Sequence, residues 1–557
     1  MKREANGAIE FVWSPVSRVA GPLVVRCRVD PSRRRVVEAS AEAPMFRGVE
    51  LILEGRAAED SVHLASRVCG VCGSAHTLAS AMALEMACGV PAPPLAVLAR
   101  NLGLGAEMIS EYALHLFALA GPDYSESVIR RTTPSLWQRA EKADAPHAEW
   151  HGLYRMADIF RELEPLKGAL YRDALQMSRA AREAAVLIFG KNPHPSTIFP
   201  AGLGVDAGPA LFNHVFGRMM RLIDYAKKVV AVWDDVADFF LREHPDYGAV
   251  GERPVNLLSL GLWDDPEAYD AKMGHSAEWG ERRLMTPGVV LDGRLRTTRL
   301  PAINLEIEEF VDHSYYRPWT GSRFRCDPQG VPLSPAHPWN KKTIPAPSVR
   351  QWQHKYSWCT SPRWNRVAME GGPVARLWIT ALAGKVANEY IHSSGGSVQI
   401  DMPRGHLPAV TLTWRIPRRL NALERLRARA YHIAYAAMAA YAALVRAFDA
   451  VRHGRNVLAQ PYTIPPEALS VGFAEAGRGP LLHYLEIIGG KIATYQILTA
   501  STWIVSPRDL WATAGPLEEA LMHTPLVEET ERNDALTGID LLRTIRSFDP
   551  CLSCAVH

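Results

Sequence analysis

The spacing of hydrophobic and polar positions changes several times along this chain. Residues 8–30 alternate apolar and polar side chains, as strands do, and the turn-forming segment 31–35 predicts a hairpin into a second strand at 36–41. From 49 to 90 the apolar spacing becomes helical, with an interruption at the Cys-Gly-Val-Cys segment 69–72. The chain is therefore predicted to begin with a small β element and to continue as helix.

Long amphipathic helices are predicted for most of the remaining chain, because apolar residues recur there every three or four positions. The predicted helices are 94–120, 145–190, 206–243, 363–390 and 418–451. Residues 245–350 are instead rich in Pro, Gly, Trp and Tyr, and we interpret them as an irregular layer over the helices. Near the end, two strand-like runs at 484–488 and 492–498 flank a Gly-Gly pair and predict a hairpin.

These periods together predict a mainly α, α+β fold in one domain spanning 1–557, a bundle of long helices with small N-terminal and C-terminal β elements. At 557 residues and 48% hydrophobic, the chain can bury a large core. Its formal charge of +3 gives no indication of a nucleic-acid partner. The most apolar helical run, 431–445, is shorter than the about 20 residues of a membrane span, so we predict a buried helix.

Two Cys-x-x-Cys sequences lie at opposite ends of the chain. The first is 69–72, with His76 shortly after it, and the second is 551–554, followed by His557. A two-residue gap lets both sulfurs of a pair point to one side of a tight turn, so four thiolates can converge on soft transition metals. From the cysteines alone, a structural zinc site is an open alternative. The other four cysteines are isolated: Cys27, Cys88, Cys326 and Cys359.

With its further motifs, the chain resembles the large subunit of [NiFe]-hydrogenases, most of all the uptake-type, membrane-linked group. The matching stretches are 46–50, 191–195, 355–358, 361–364, 369–373, 501–503, 506–509 and 521–525. They cover most of the chain, with the loosest fit between 245 and 350. A related subunit of the quinone-reducing respiratory complex has lost the cysteines and binds no metal, so all four cysteines argue against that alternative. The resemblance implies the hydrogenase large-subunit fold.

The resemblance also implies a nickel–iron centre, Ni-Fe(CN)2CO, on the four cysteines. Cys69 and Cys551 match the terminal ligands of nickel, and Cys72 and Cys554 match the thiolates that bridge nickel and iron. Thiolates are soft, electron-rich donors that suit such a centre. A nearby Mg²⁺ is implied as well, with ligands from the side chains and backbone of three residues: Glu50, His557 and the backbone carbonyl of Ile497.

Four further residues match groups around the metals in that family. Arg478 falls where a guanidinium stands over the open metal site, and Asp549 would orient it by an ion pair. Ser501 matches a contact to a cyanide ligand. His76 resembles a hydrogen-bond donor to a bridging sulfur. The proton released from H2 would go first to Cys551 or to Arg478.

Several positions depart from the family pattern. The proton-relay glutamate of the family falls at Ala20, which carries no proton. Glu111 stands where many relatives have aspartate, and Gly477 and Ala500 replace prolines that commonly wall the site. We hypothesise that Glu111, in a partly dry site with a raised pKa, takes over part of the proton path. The alternative is a slow enzyme or a sensor that does not need rapid proton export.

The implied function is heterolytic cleavage of H2 to protons and electrons by the catalytic large subunit. Because this chain lacks the cysteines for iron–sulfur clusters, an iron–sulfur small subunit is implied as an obligate partner, with a membrane cytochrome b or another acceptor beyond it. The small subunit would place the complex on the periplasmic side of the cytoplasmic membrane, the cytoplasm being the alternative. The alternative function is a hydrogen-sensing regulatory subunit of low turnover that signals to a protein partner.

Overall fold

Four long helices form the framework of the fold. In this computed structural model, which describes residues 2–3, 8–386, 388–530 and 535–557, they are Pro94–Leu114, Ala169–Phe189, Pro209–Glu243 and Ala422–Arg452. The first packs on the second and the fourth, and the third also packs on the fourth. Small residues let the first and fourth approach closely, since a Cβ at Gly105 would lie 2.9 Å from the Cβ of Ala440.

The remaining described elements surround this framework. The other helices of six or more residues are Asp60–Ala65, Gly73–Cys88, Glu126–Thr132, Pro134–Ala140, Met156–Glu162, Ser276–Glu281, Leu300–Leu305, Pro373–Ala383, Pro516–Leu521 and Ile539–Ser547, with a π-helical turn at His115–Ala120. Shorter α-helices are Val49–Leu53, Ala148–His151, Ala500–Ile504 and Leu552–Ala555. Small antiparallel sheets are formed by Ile198–Phe199 with Gly202–Leu203, Leu257–Ser259 with Gly288–Leu291 and Arg294–Thr297, Ile307–Phe310 with Ser361–Trp364, and Ile391–Ser393 with Ser397–Met402 and Val410–Arg415.

Two larger antiparallel sheets lie near the two ends of the chain. The N-terminal sheet contains Lys2–Arg3, Ile9–Trp13, Val24–Asp30 and Arg35–Glu42 in that order. The C-terminal sheet contains Glu467–Ala476, Gly479–Ile488 and Lys491–Leu498. Its first two strands pair down to Ala476 opposite Gly479, so the chain reverses in two residues, and the φ of 137° at Gly479 favours glycine there. This tight turn carries Arg478.

The C-terminal segment lies between two hydrophobic cores. Cys551 and Cys554 belong to the large core of the helical framework. Leu552, Ala555 and Val556 belong to a smaller core under the N-terminal sheet. Side chains of this short segment therefore point in two directions. Both sulfurs face the helices, and the apolar side chains pack under the N-terminal sheet.

The predicted α+β class is confirmed, as are the long helices near 206–243 and 418–451 and the hairpin near the end. Two predicted helices are wrong in extent. The stretch 145–190 contains three helices. The first ends at Gly152, which has a φ of 76°, and the second ends before Leu166, which has a φ of 65°, and Gly168, where a Cβ would overlap the carbonyl of Glu162. The stretch 363–390 begins as the end of a strand, and its helix covers only Pro373–Ala383.

The helix Ala422–Arg452 is long and apolar enough to cross a membrane, and no other helix in the described part of the chain meets both criteria. However, 67% of its most apolar window is buried against the rest of the protein. Core helices of globular proteins meet the same criteria, and the predicted buried run 431–445 lies inside this one.

Candidate metal centre

Backbone pairing brings the two cysteine pairs together. Cys69 follows a 3₁₀ turn, and Cys72 directly precedes the helix Gly73–Cys88. The C-terminal pair is held by a parallel bridge between Ala20 and Cys551: the N–H of Ala20 donates to the carbonyl of Pro550 at 3.3 Å, and the N–H of Leu552 donates to Ala20 at 2.7 Å. The residue at position 20 therefore lies directly beside the C-terminal pair.

The four sulfurs form two close pairs in a buried site. Cys69 Sγ lies 3.6 Å from Cys551 Sγ, and Cys72 Sγ lies 3.4 Å from Cys554 Sγ. Both separations far exceed a disulfide bond of about 2.05 Å. They fit two thiolates on one metal ion, because bonds of about 2.3 Å at tetrahedral angles place the sulfurs about 3.8 Å apart. The donor set thus suits one or two soft metal ions.

Neighbouring N–H groups and histidines surround these sulfurs. The backbone N–H groups of Val71 and Cys72 donate to Cys69 Sγ at 3.3 and 3.2 Å. His76 Nε2 lies 3.8 Å from Cys554 Sγ, and His76 Nδ1 lies 3.0 Å from the ring of His483. Burial lowers the pKa of His76 to about 3, with the nearby His557 adding to the shift, so its imidazole is neutral. No motif in the sequence distinguished His483.

Arg478 connects two buried carboxylates beside the sulfurs. Its Nε donates to the backbone carbonyl of Asp549 at 3.0 Å, and its Nη2 lies 3.1 Å from the Asp549 carboxylate. Its Nη1 donates to Glu111 Oε2 at 2.8 Å. Ser501 lies close by, where its hydroxyl oxygen accepts a hydrogen bond from the N–H of Cys551 at 3.0 Å. The structure therefore brings together the four residues predicted for this side of the site.

Hydrogen bonds to its backbone carbonyls hold the turn that carries Arg478. Arg376 donates to the carbonyls of Ala476 and Gly477, and Tyr112 donates to Gly477 at 2.8 Å. Arg376 is itself fixed by Glu475, which accepts from its Nε at 2.6 Å. No pattern in the sequence distinguished this arginine, because it lies on an ordinary apolar helix and meets the turn about 100 residues further along the chain.

The carboxyl of Glu111 occupies space that a side chain at position 477 would fill. A Cβ at Gly477 would overlap Glu111 Oε2. Burial raises the pKa of Glu111 to about 7; Arg478 opposes the shift, while Asp549 and Cys551 add to it. The glutamate at position 111 and the glycine at position 477 therefore depend on each other, because the longer acid uses the space that the glycine leaves open. Together they place beside Arg478 a carboxyl that can exchange protons near neutral pH.

A second polar site lies on the other side of the cysteines. Glu50 Oε1 lies 3.3 Å from His557 Nε2 and accepts from the backbone N–H of Ile497 at 2.9 Å. Lys341 Nζ lies 3.2 Å from the same oxygen, and Thr343 donates to Glu50 Oε2. Burial opposes ionisation, but Lys341, together with His557 and Thr343, lowers the pKa of Glu50 to about 2. Glu50 is therefore a permanent anion.

The imidazole of His557 fits a metal ligand at this second site. Its Nδ1 lies 2.7 Å from the carbonyl of Cys554, which can only accept, so Nδ1 carries the proton. With Nε2 unprotonated, its lone pair and the carboxylate of Glu50, 3.3 Å apart, would hold a cation between them. The oxygen and nitrogen donors fit a small hard cation.

Comparison with known proteins agrees with this geometry. A family model described as nickel-dependent hydrogenase matches residues 47–143 and 154–557. The chain belongs to the nickel-dependent hydrogenase family, as a [NiFe]-hydrogenase large subunit, and is an oxidoreductase. The resemblance inferred from the motifs is thereby confirmed at the level of family and enzyme class.

Relatives match along nearly the whole chain. The large chain of hydrogenase-1 from Escherichia coli K12 is 29% identical over 99% of this chain and 95% of its own length. The uptake hydrogenase large subunit of Rhizobium leguminosarum bv. viciae is also 29% identical, over 99% and 96%. Among solved structures, the actinobacterial-type NiFe-hydrogenase from Ralstonia eutropha H16 is 40% identical with a TM-score of 0.96, covering 99% of this chain and all of that one.

Proposed function

We propose that this chain is the catalytic subunit of an uptake hydrogenase that oxidises H2 at a Ni-Fe(CN)2CO centre. The observation that carries the proposal is the buried set of four free cysteine sulfurs in two pairs 3.4 and 3.6 Å apart, with Arg478 beside them. Cys69 and Cys551 would bind nickel terminally, and Cys72 and Cys554 would bridge the two metals. When bound, the centre supplies the two-electron chemistry that side chains lack.

The residues around the sulfurs have separate roles in this proposal. Arg478 supplies a fixed positive charge, because Asp549 and Glu111 hold its guanidinium from two directions. The oxygen of Ser501 accepts from the N–H of Cys551, which leaves its own O–H free to donate to a cyanide ligand. His76 would donate to the sulfur of Cys554.

Proton transfer in this proposal runs through Glu111. The relay glutamate of the family is absent, since Ala20 lies beside Cys551 without a titratable group. Glu111 is hydrogen-bonded to Arg478, whose guanidinium is already fully protonated, so the proton would go first to Cys551 and then reach Glu111 beside that guanidinium. With a pKa of about 7, it can accept and release a proton at neutral pH without a large energetic penalty.

A Mg²⁺ ion at Glu50 and His557, with the carbonyl of Ile497, completes the proposed metal content. The iron–sulfur clusters are assigned to a small subunit, because Cys27, Cys88, Cys326 and Cys359 are too scattered to build one. The names of the relatives, large chain and large subunit, support such a partner. Transfer of electrons onward to a membrane cytochrome b, on the periplasmic side, is part of the same proposal.

Infrared spectroscopy of the purified complex tests this function. We expect one carbonyl and two cyanide stretching bands in the wild type that shift under H2, and their absence from a Cys72→Ser variant. Absence of these bands in the wild type, with zinc bound instead, would falsify the proposal.

Ala20 favours a second candidate, a hydrogen sensor of low turnover, because a sensor needs no fast proton export. Dye reduction by the same sample under H2 separates the two. Sustained turnover supports the enzyme, whereas normal infrared bands with negligible turnover support the sensor.

A further inference from the structure

A second buried carboxyl lies one helical turn before Glu111. Glu107 is 3% exposed, and its Oε1 has no hydrogen-bond partner among the residues that the structure describes. Both residues belong to the helix Pro94–Leu114, and their separation of four positions places their Cβ atoms roughly 6 Å apart on one face. A buried acid without a neutralising cation is costly to ionise, so a structural role alone gives no reason for an acid at this position.

The neighbours of Glu107 lie between the N-terminal cysteine pair and a loop at the protein surface. Ser74 lies close enough to its carboxyl for the hydroxyl and backbone N–H to lower the pKa of Glu107. The hydroxyl of Ser74 also lies 3.4 Å from the carbonyl of Pro193. Pro193 can approach this closely because residue 73 is a glycine; a Cβ at that position would overlap the carbonyl of Pro193. Pro193 and His194 are only half-buried and follow the exposed Lys191, so this loop reaches the protein surface.

We propose that Glu107 is a second proton-relay residue, which carries protons from Glu111 to Ser74 and the surface loop at Pro193 and His194. The proposal rests on the proposed function, because it supplies the onward path for the proton that Glu111 accepts. It also gives the protein an exit route on the side of the N-terminal cysteine pair, away from Ala20.

The transfers balance over one turnover. Oxidation of one H2 releases two protons and two electrons, and the electrons leave to the iron–sulfur clusters of the proposed small subunit. As a proton moves, an O–H bond forms on Glu107 while one breaks on Glu111. Glu107 then gives its proton to the hydroxyl oxygen of Ser74 while the original O–H proton of Ser74 leaves to water at the half-buried loop of Pro193 and His194, and both carboxyls return to their starting state.

The charges around Glu107 are consistent with a group that carries its proton at rest. Burial raises its pKa well above the usual range, and the negative charges of Glu111 and Cys69 add to the shift, while Ser74 opposes it. Glu107 would therefore hold a proton and pass it on when another arrives from Glu111.

The test compares three variants of the purified complex. Glu107→Gln keeps the size of the side chain and removes the transferable proton, while Glu107→Asp keeps a carboxyl. Glu518→Gln is the matched control, because Glu518 is also fully buried with a pKa raised by burial to about 7, but bonds to Tyr356 and Ala41 under the N-terminal sheet. The readouts are the infrared bands of protonated carboxyls, the carbonyl and cyanide bands, and the rate of exchange between D2 and water protons.

We expect Glu107→Gln to lose one protonated-carboxyl band, to keep the carbonyl and cyanide bands in place, and to slow isotope exchange about tenfold or more. Glu107→Asp should retain part of the exchange, which keeps the test valid if the amide variant does not fold. Glu518→Gln should also lose a carboxyl band but exchange at the wild-type rate.

Two outcomes overturn the inference in different ways. If Glu107→Gln exchanges at the wild-type rate while Glu111→Gln is slowed, Glu107 carries no protons and the proposed function stands. If the wild type lacks carbonyl and cyanide bands, the proposed function itself fails and the relay falls with it.

Discussion

Glu50 and Glu111 are the same residue type, are both buried beside the cysteine cluster, and yet differ sharply in acidity. Their pKa values are about 2 and about 7. Glu50 meets Lys341, His557 and a hydroxyl, so several groups favour its anion. Glu111 shares the single charge of Arg478 with Asp549. Burial costs both carboxylates free energy, and the balance between neighbouring hydrogen-bond donors and neighbouring negative charges decides which one is fixed and which one exchanges protons.

The largest expected effect comes from removing the cation beside Glu50. Lys341→Met would leave Glu50 and Glu309 buried without their shared ammonium, which contacts them at 3.2 and 3.0 Å. Breaking a buried ion pair from one side costs about 3–5 kcal/mol. Denaturant unfolding of the complex should show this loss, whereas Lys342→Met, at the exposed neighbouring residue, should unfold like the wild type. Equal stability of both variants would mean that Glu50 does not depend on Lys341.

An intermediate effect is expected from filling the space around Glu111. Gly477→Ala should push the carboxyl away from Arg478 and slow isotope exchange about tenfold, because a relay must stay within hydrogen-bond reach. The backbone at Gly477 does not have a positive φ, so the alanine itself should not strain the turn. The double variant Gly477→Ala, Glu111→Asp should recover part of the rate, since the shorter acid avoids the new methyl group. A double variant as slow as the single one would contradict this coupling.

A third effect is on the pH dependence of stability. The pKa of Glu111 rises from 4.5 to about 7 on folding, so its contribution to stability is lost as pH increases through that window. Glu111→Gln should flatten the curve there. For Glu50 the sign is opposite: its stabilisation is present above 4.5 and is lost as pH falls toward about 2. Denaturant midpoints measured against pH across both windows check the two predicted slopes. Parallel curves of stability against pH for the wild type and Glu111→Gln would show that the pKa of Glu111 is not raised on folding.

Residues with a local motif were predictable from the sequence, and residues defined by distant contacts were not. The cysteine pairs, Arg478 in its Gly-rich turn and Asp549 next to Cys551 all carry such a motif. Lys341 lies in the irregular layer, where no hydrophobic period predicts which way a side chain points. It contacts Glu50, which lies 291 positions earlier in the chain.

Arg376 and Glu107 lie on helices whose apolar spacing conceals a polar contact made by tertiary packing. The helix breaks near Leu166 were missed for a related reason. Amphipathic spacing continues through the break, and only the backbone conformation there shows that the helix has ended.

The wide separation of the two cysteine pairs has a consequence for biosynthesis. Cys69 and Cys551 meet across 482 positions, so the first pair leaves the ribosome long before its partner exists. At translation rates of about 5–20 residues per second, the interval is roughly half a minute to more than a minute and a half. During that time two reactive thiols have neither a metal nor their final neighbours. The four-sulfur site can therefore assemble only at the end of translation, and until then the first two thiols depend on protection by other cellular components.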